Sequence, residues 1–400
     1  MKFIPFCALT VLITLGACQS NNAEEITEAK KADTAQIEAD TNTSEKVVVK
    51  AEINEQLNSF TQMLSGEPTA YKSDLSNRDI WLNYSKSTSA KWDKLQAKIA
   101  LPIEQWVHTK GYNQKYSNRT LLYPFAGGDY FYAHLFFPNV DTIIMVGLEP
   151  PGHLFDPQKV SSEELRTYLY DLERSLFFPH KLGFFRTKSM AVDFKKGLLN
   201  GTLHTCLYYL SKFGNQIHYI KAVDFDVNGD FSNEIDISNE KHGRKGYRIG
   251  YSTPEDKQVK ELVYFAENLA NSGVYRNGPN GKKTIIPAAK YFEKHKGSSA
   301  FFKAATYLMH KSYFSWIRNT CQNSCNIILQ DDSGMKLESL KEAGYDVELL
   351  GEYTRTIPLF SNRFQEDLKE AYQSAQPERL PFNIGYNAQY GECNLQLATK

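Results

Sequence analysis

Two apolar segments separated by one short helical stretch constrain this chain more than any other feature. Thr120-Leu-Leu-Tyr-Pro-Phe125 reads as a strand, Ala126-Gly127-Gly128 as a turn, and Asp129 as the N-cap of a helix over 130–137. Pro138-Asn139 ends that helix, and Asp141-Thr-Ile-Ile-Met-Val-Gly-Leu148 is a second strand. A helical crossover between two strands places them side by side and parallel. The second run is continuously apolar, which suits a sheet covered on both faces.

The remaining pattern extends this expectation. Ile53, Leu57, Phe60 and Leu64 repeat at helical spacing ahead of Gly66, and a second helix is expected over 89–100 with a break at Pro102. Ser161 and Glu164 form a capping box before another helix, followed by helices over 188–199 and 201–213. The segments 216–226, 246–252 and 259–267 alternate like strands of an antiparallel meander, an insert near 216–268. A loop over 271–284, helices over 287–295 and 299–318, strands at 326–330 and 346–350, a helix over 362–373 and an aperiodic tail complete the reading. The expected class is α/β: one domain over 51–400 with a mostly parallel core sheet, helices on both faces and an antiparallel excursion.

Charge narrows the function. The 400 residues hold 46 Lys+Arg and 46 Asp+Glu, which argues against a polybasic nucleic-acid binder. Residues 19–50 carry seven acids and four lysines, leaving 41 basic and 39 acidic residues in 51–400, so the domain has no strong overall field. Residues 19–50 also have few large apolar side chains and cannot bury enough surface to offset ordering, so a solvated, disordered tether is expected there.

Lys2 followed by the apolar stretch 3–17 has the form of a secretory signal too short to span a bilayer. It closes with Leu15-Gly16-Ala17-Cys18, which resembles the lipobox of bacterial lipoproteins. The resemblance implies cleavage after residue 17 and lipid on Cys18, with 18–50 as the lipidated cysteine and its tether. It implies attachment to the cell membrane, or to the outer membrane because Gln19 follows the cysteine, with the domain outside the cytoplasm.

Three groups of residues carry chemistry. Asp129, Glu149 and Asp331-Asp332 each follow a strand, and His153 lies in Glu149-Pro-Pro-Gly-His153. If the strands share a sheet, these side chains gather at its carboxyl edge, the usual ligand crevice, where carboxylates can do acid–base work. Phe125-Ala-Gly-Gly-Asp129 with Glu149 also loosely resembles the start of a Rossmann-like nucleotide-binding unit, without its full glycine motif. Asp224-x-Asp226-x-Asn228-Gly229-Asp230 resembles the start of an EF-hand-like calcium loop, with Ile235 where the bidentate acid belongs. Asn228-Gly229 also reads as a simple hairpin turn. Ser333-x-x-Lys336 matches one element of penicillin-recognising enzymes, but their Lys-Thr-Gly is missing.

Cys206, Cys321, Cys325 and Cys393 could pair outside the cytoplasm or remain buried thiols. Tyr130-Phe-Tyr132 and Tyr208-Tyr209 suit either an aromatic ligand surface or the core. The expected function is ligand binding or an envelope-associated role. The alternatives are an exported hydrolase using the carboxylate cluster, or a structural or assembly lipoprotein.

Overall fold

Leu121 and Tyr123 of strand β1 (Thr120–Pro124) enter one apolar core and Leu122 enters another, so both faces of the strand are covered. The same division holds in β2 (Thr142–Gly147), where Ile143 and Met145 face one side and Ile144 and Val146 the other. A period-two alternation cannot show in a strand that is apolar on both faces. The computed structural model describes residues 52–68, 78–115, 120–176, 197–232, 245–277 and 281–400. The signal, Cys18, the tether and nearly all of the helix expected over 188–199 lie outside the described residues.

β1 and β2 are parallel neighbours in a nine-stranded mixed sheet. The others are β3 (Gln216–Val223), β4 (Gly246–Ser252), β5 (Lys260–Ala266), β8 (Ser298–Phe302), β9 (Cys325–Gln330), β10 (Asp346–Gly351) and β11 (Asn394–Thr399). They lie in the order β10-β11-β9-β8-β1-β2-β5-β4-β3. The centre, β9 to β5, is parallel throughout. The flanking pairs β3–β4, β4–β5, β9–β11 and β10–β11 are antiparallel. Helices Glu55–Ser65, Ser162–Ser175 and Leu203–Lys212 pack on one face, and Pro287–Glu293 and Ser315–Ser324 on the other.

Local chemistry sets several boundaries. Asn54 caps the first helix through Leu57 N–H, and Gly66 ends it at φ 74°. The Ser161–Glu164 capping box is formed on both sides. Pro102 does not break its helix. A π-helical turn over Gln96–Ala100 joins Arg78–Leu95 to Leu101–Thr109, with Leu101 N–H bonded to the Gln96 carbonyl. Proline has no N–H to place, and the wider turn accommodates it at the start of the next segment.

Three further expectations are corrected. The helix expected over 299–318 is strand β8 followed by a loop with two single 3-10 turns (Leu308–His310 and Ser312–Phe314), and α-helix begins only at Ser315. All five β8 residues are buried between β1 and β9, so the strand has no alternation to read. Within 271–284, described residues form a helical turn (Asn271–Val274) and a ribbon of β6 (Tyr275–Asn277) with β7 (Lys283–Ile285). The tail ends in β11, inserted between β9 and β10.

Candidate functional site

From β1 the chain moves to β2 and on to β5 on one side, then returns to lay β8 and β9 on the other. The topology therefore reverses between β1 and β8, and the crevice outside their carboxyl ends is the expected ligand position in an open α/β sheet. Backbone strain concentrates there. Phe125 (φ 64°) leaves β1, and Ala304 (49°), Thr306 (53°) and Tyr307 (55°) leave β8. Among the described non-glycine residues only Gln376, at a helix end, shares the left-handed region. Each such residue costs on the order of 1–3 kcal/mol and persists only where the surroundings enforce it.

After β8, Asp331, Asp332 and Tyr386 supply that enforcement. Asp331 Oδ2 accepts from Ala304 N–H (2.7 Å), and its Oδ1 accepts from Ser333 N–H (2.9 Å) and the Ser333 hydroxyl. Ser333 Oγ in turn accepts from Ala305 N–H (2.7 Å), so this serine is not a free nucleophile. Asp332 accepts from the Tyr307 hydroxyl and from Asn394 Nδ2 (3.1 Å). Tyr386 closes the loop by accepting from Thr306 N–H (3.1 Å) and donating to the Ala304 carbonyl (2.8 Å). Burial pushes both carboxyls up, opposed at Asp331 by its hydrogen bonds and by Lys303. Asp332 is raised to about 7 by burial and the neighbouring Asp331 charge.

Lys303 ties this group to the β1 loop. Its Nζ lies 2.8 Å from Asp129 Oδ2, with the two side chains 1% and 3% exposed, and 4.0 Å from the Tyr132 ring centre. Asp129 also accepts from the Tyr123 hydroxyl (2.8 Å) while capping its helix through Tyr132 N–H. Lys303 follows the buried run 298–302, and reading that run as helix hid its position at a strand end. Asp129, Asp331 and Asp332 are thus brought together, but as a closed, bonded network.

Glu149 stands apart from that network. It is 1% exposed at the end of β2, and its Oε2 accepts from Leu148 N–H (3.0 Å). Its Oε1 is buried with no hydrogen-bond partner. A Cβ on Gly127 would sit 3.5 Å from both carboxylate oxygens, and one on Gly147 would sit 2.6 Å from Oε2. At Gly147 only backbone can lie against the carboxylate, while Gly127, at ordinary contact distance, is kept glycine by its φ of 57°, and the two form a glycine floor. The adjacent Leu148 side chain is 64% exposed.

His153 is not part of the acid group. Its backbone N–H donates to Asn200 Oδ1 (2.8 Å), and its Nε2 meets Asn200 Nδ2 at 2.9 Å. The loop it occupies is locked by Thr202 and Leu203 N–H groups donating to the Pro150 and Pro151 carbonyls (3.0 Å each). A Cβ on Gly201 would lie 2.3 Å from Gly152 N, so this approach requires glycine. Nearby His204 is fully buried among Phe60, Phe155 and Tyr168, and burial pulls it down to about 3.

Asp226, Asn228 and Asp230 lie in a hairpin turn closed by the Phe225–Phe231 bridge, with Asp224 just ahead of it. Asp226 Oδ1 accepts from Asn228 N–H (2.9 Å) and Asp230 N–H (2.8 Å), Asp224 Oδ1 accepts from Phe225 N–H (2.8 Å), and Asp230 pairs with Lys294. Residues 234–236 lie outside the described residues. Among the described residues, no group of three or more His, Cys, Asp or Glu side chains is placed to hold a metal ion. All four domain cysteines are free and buried, and burial pushes the Cys206 thiol up to about 12. Tyr130, Phe131, Tyr132, Tyr208 and Tyr209 all belong to the core.

Comparison with known proteins adds no assignment: no protein-family model, curated protein or solved structure matches the chain. No described helix is long and apolar enough to cross a membrane.

Proposed function

We propose that this chain is a lipid-anchored protein of a bacterial cell envelope whose domain binds a small hydroxyl-bearing ligand at the carboxyl edge of the sheet. The unpartnered, buried Oε1 of Glu149 carries this reading. A desolvated carboxylate oxygen without a donor is costly, and a ligand O–H is the donor it lacks. Its surroundings agree, with a glycine floor beneath, exposed Leu148 beside it and the chain reversal nearby. In this reading β1, its helix and β2 form a Rossmann-like unit, and β3–β4–β5 is the antiparallel insert. In chain order the five parallel strands run 3-2-1-4-5 across the sheet, an order shared by doubly wound nucleotide-binding folds. The hydrolase alternative is weaker, because Asp129, Asp331 and Asp332 are engaged internally.

A thermal-unfolding screen of the full chain against pentoses, hexoses and nucleosides tests the site. At least one vicinal diol raises the wild-type midpoint and fails to do so in Glu149→Gln. If no diol acts, or if the variant responds equally, the site is wrong. For the anchor, palmitate labelling in a bacterial host is present in the wild type and lost in Cys18→Ser. Labelling that survives the substitution would remove the lipid assignment.

A further inference from the structure

A second site lies past the carboxyl end of β9. A cavity of about 700 Å3 opens between the helix Leu337–Glu342, the turn Pro358–Arg363 and the start of helix Glu366–Ala375. That volume falls in the usual range of small-molecule sites. Gln365, only 4% exposed, lines it. Its Nε2 donates to the Asp332 carbonyl (3.1 Å), which fixes the amide, and its Oε1 is left buried without a partner. His310 lines the same cavity, and its Nε2 is also buried and unpartnered. Burial, with the charges of Lys336, Arg363 and Arg318, pulls this ring down to about 4, while its contact with the Gly334 carbonyl acts in the opposite sense. The ring is therefore neutral at pH 7, and with one nitrogen donating to Gly334 its Nε2 is an acceptor.

Two buried acceptors thus lack N–H or O–H donors. The wall also holds cations without partners. Neither the Lys336 ammonium nor the Arg363 guanidinium makes an ion pair or hydrogen bond among the described residues. The lining as a whole has three basic and four acidic side chains, so it offers a simple anion no surplus field. A molecule carrying both signs meets all of these demands. Its ammonium donates to Gln365 Oε1 and His310 Nε2, and its carboxylate takes the Arg363 guanidinium, whose fork matches that geometry.

We propose that this cavity binds a zwitterionic α-amino compound, either a free amino acid or a short peptide with both ends unblocked. The site does not depend on Glu149 or on the diol reading.

Equilibrium dialysis of the full chain tests this. One arm holds an equimolar mixture of the twenty L-amino acids, a second a dipeptide mixture, and two controls hold the same compounds N-acetylated or amidated. Retained compounds are identified by mass spectrometry. At least one unblocked compound is retained, and blocking either end weakens it by about tenfold or more, the loss expected for one charge-assisted contact. Arg363→Gln and Gln365→Met each reduce retention similarly with an unchanged circular dichroism spectrum, and Glu149→Gln leaves it intact. Because Arg363 is half-buried on a turn, its variant folds even if Gln365→Met does not. Retention in neither arm, equal retention of blocked compounds, or full retention by Arg363→Gln overturns the proposal.

Discussion

Glu149 and the group of Asp129, Asp331 and Asp332 occupy one edge of one sheet, and all are buried, yet they differ in what their oxygens touch. The group is filled. Lys303, Tyr123, Tyr307, Asn394, Ser333 and Ala304 supply donors, and the bonds hold two left-handed residues, Ala304 and Tyr307, in place. Glu149 receives one internal N–H and leaves Oε1 without a partner. Burial alone therefore does not mark a functional acid, because the same burial builds a strut when donors converge and a vacant acceptor when they do not.

The largest effect should come from breaking the filled side. Lys303→Met leaves Asp129 buried without its cation and should cost about 3–5 kcal/mol in denaturant unfolding. Adding Asp129→Asn should recover part of that loss, and a double variant no better than the single would refute the pairing as the cause. Asp331→Ala removes the clamp on Ala304 and Ser333, with an expected loss of about 1–3 kcal/mol. A neutral result would mean the strained loop holds itself.

Proton linkage separates the two regions by sign. His204, beside the Glu149 loop, is depressed to about 3, so the unfolded chain protonates first and stability falls as pH drops from about 6.5. Asp332 is raised to about 7, so the folded chain keeps the proton that the unfolded chain loses, and stability falls as pH rises from about 4 to 7. The two windows overlap between about pH 4 and 6.5 and partly cancel there, so His204→Phe should make stability fall more steeply with rising pH and Asp332→Asn should make it rise, each by at most about 1.4 kcal/mol per pH unit. Unfolding midpoints across a pH series read both slopes, and like signs in the two variants would contradict the assignment.

Glu149→Gln should change stability by less than about 1 kcal/mol, toward stabilisation, since it removes a buried charge with one partner. A loss comparable with that of Asp331→Ala would place Glu149 among the struts. The smallest effect belongs to the 224–230 turn. Because its carboxylates already accept backbone N–H groups or pair with Lys294, chelator should leave the thermal midpoint where millimolar calcium leaves it.

Much of the frame could be read in advance wherever a signal is local. Apolar continuity gave β1 and β2, Asp129 and Ser161 announced their helices, and Gly66 marked a stop. Elements with no local signature escaped. β8 is buried on both faces and lacks alternation, and β11 finds its place only between two strands formed earlier in the chain. The π turn before Pro102 depends on how the backbone spreads around a missing donor.

The site divides in the same way. Sequence alone determined that acids follow several strand ends, and the class of sheet that would gather them. Only the tertiary structure decided which acids are spent. Asp129 finds Lys303, and Tyr307 finds Asp332, across long stretches of chain. A carboxylate's role is set by its desolvation and by the donors around it, and those come from strands that meet only in the folded sheet.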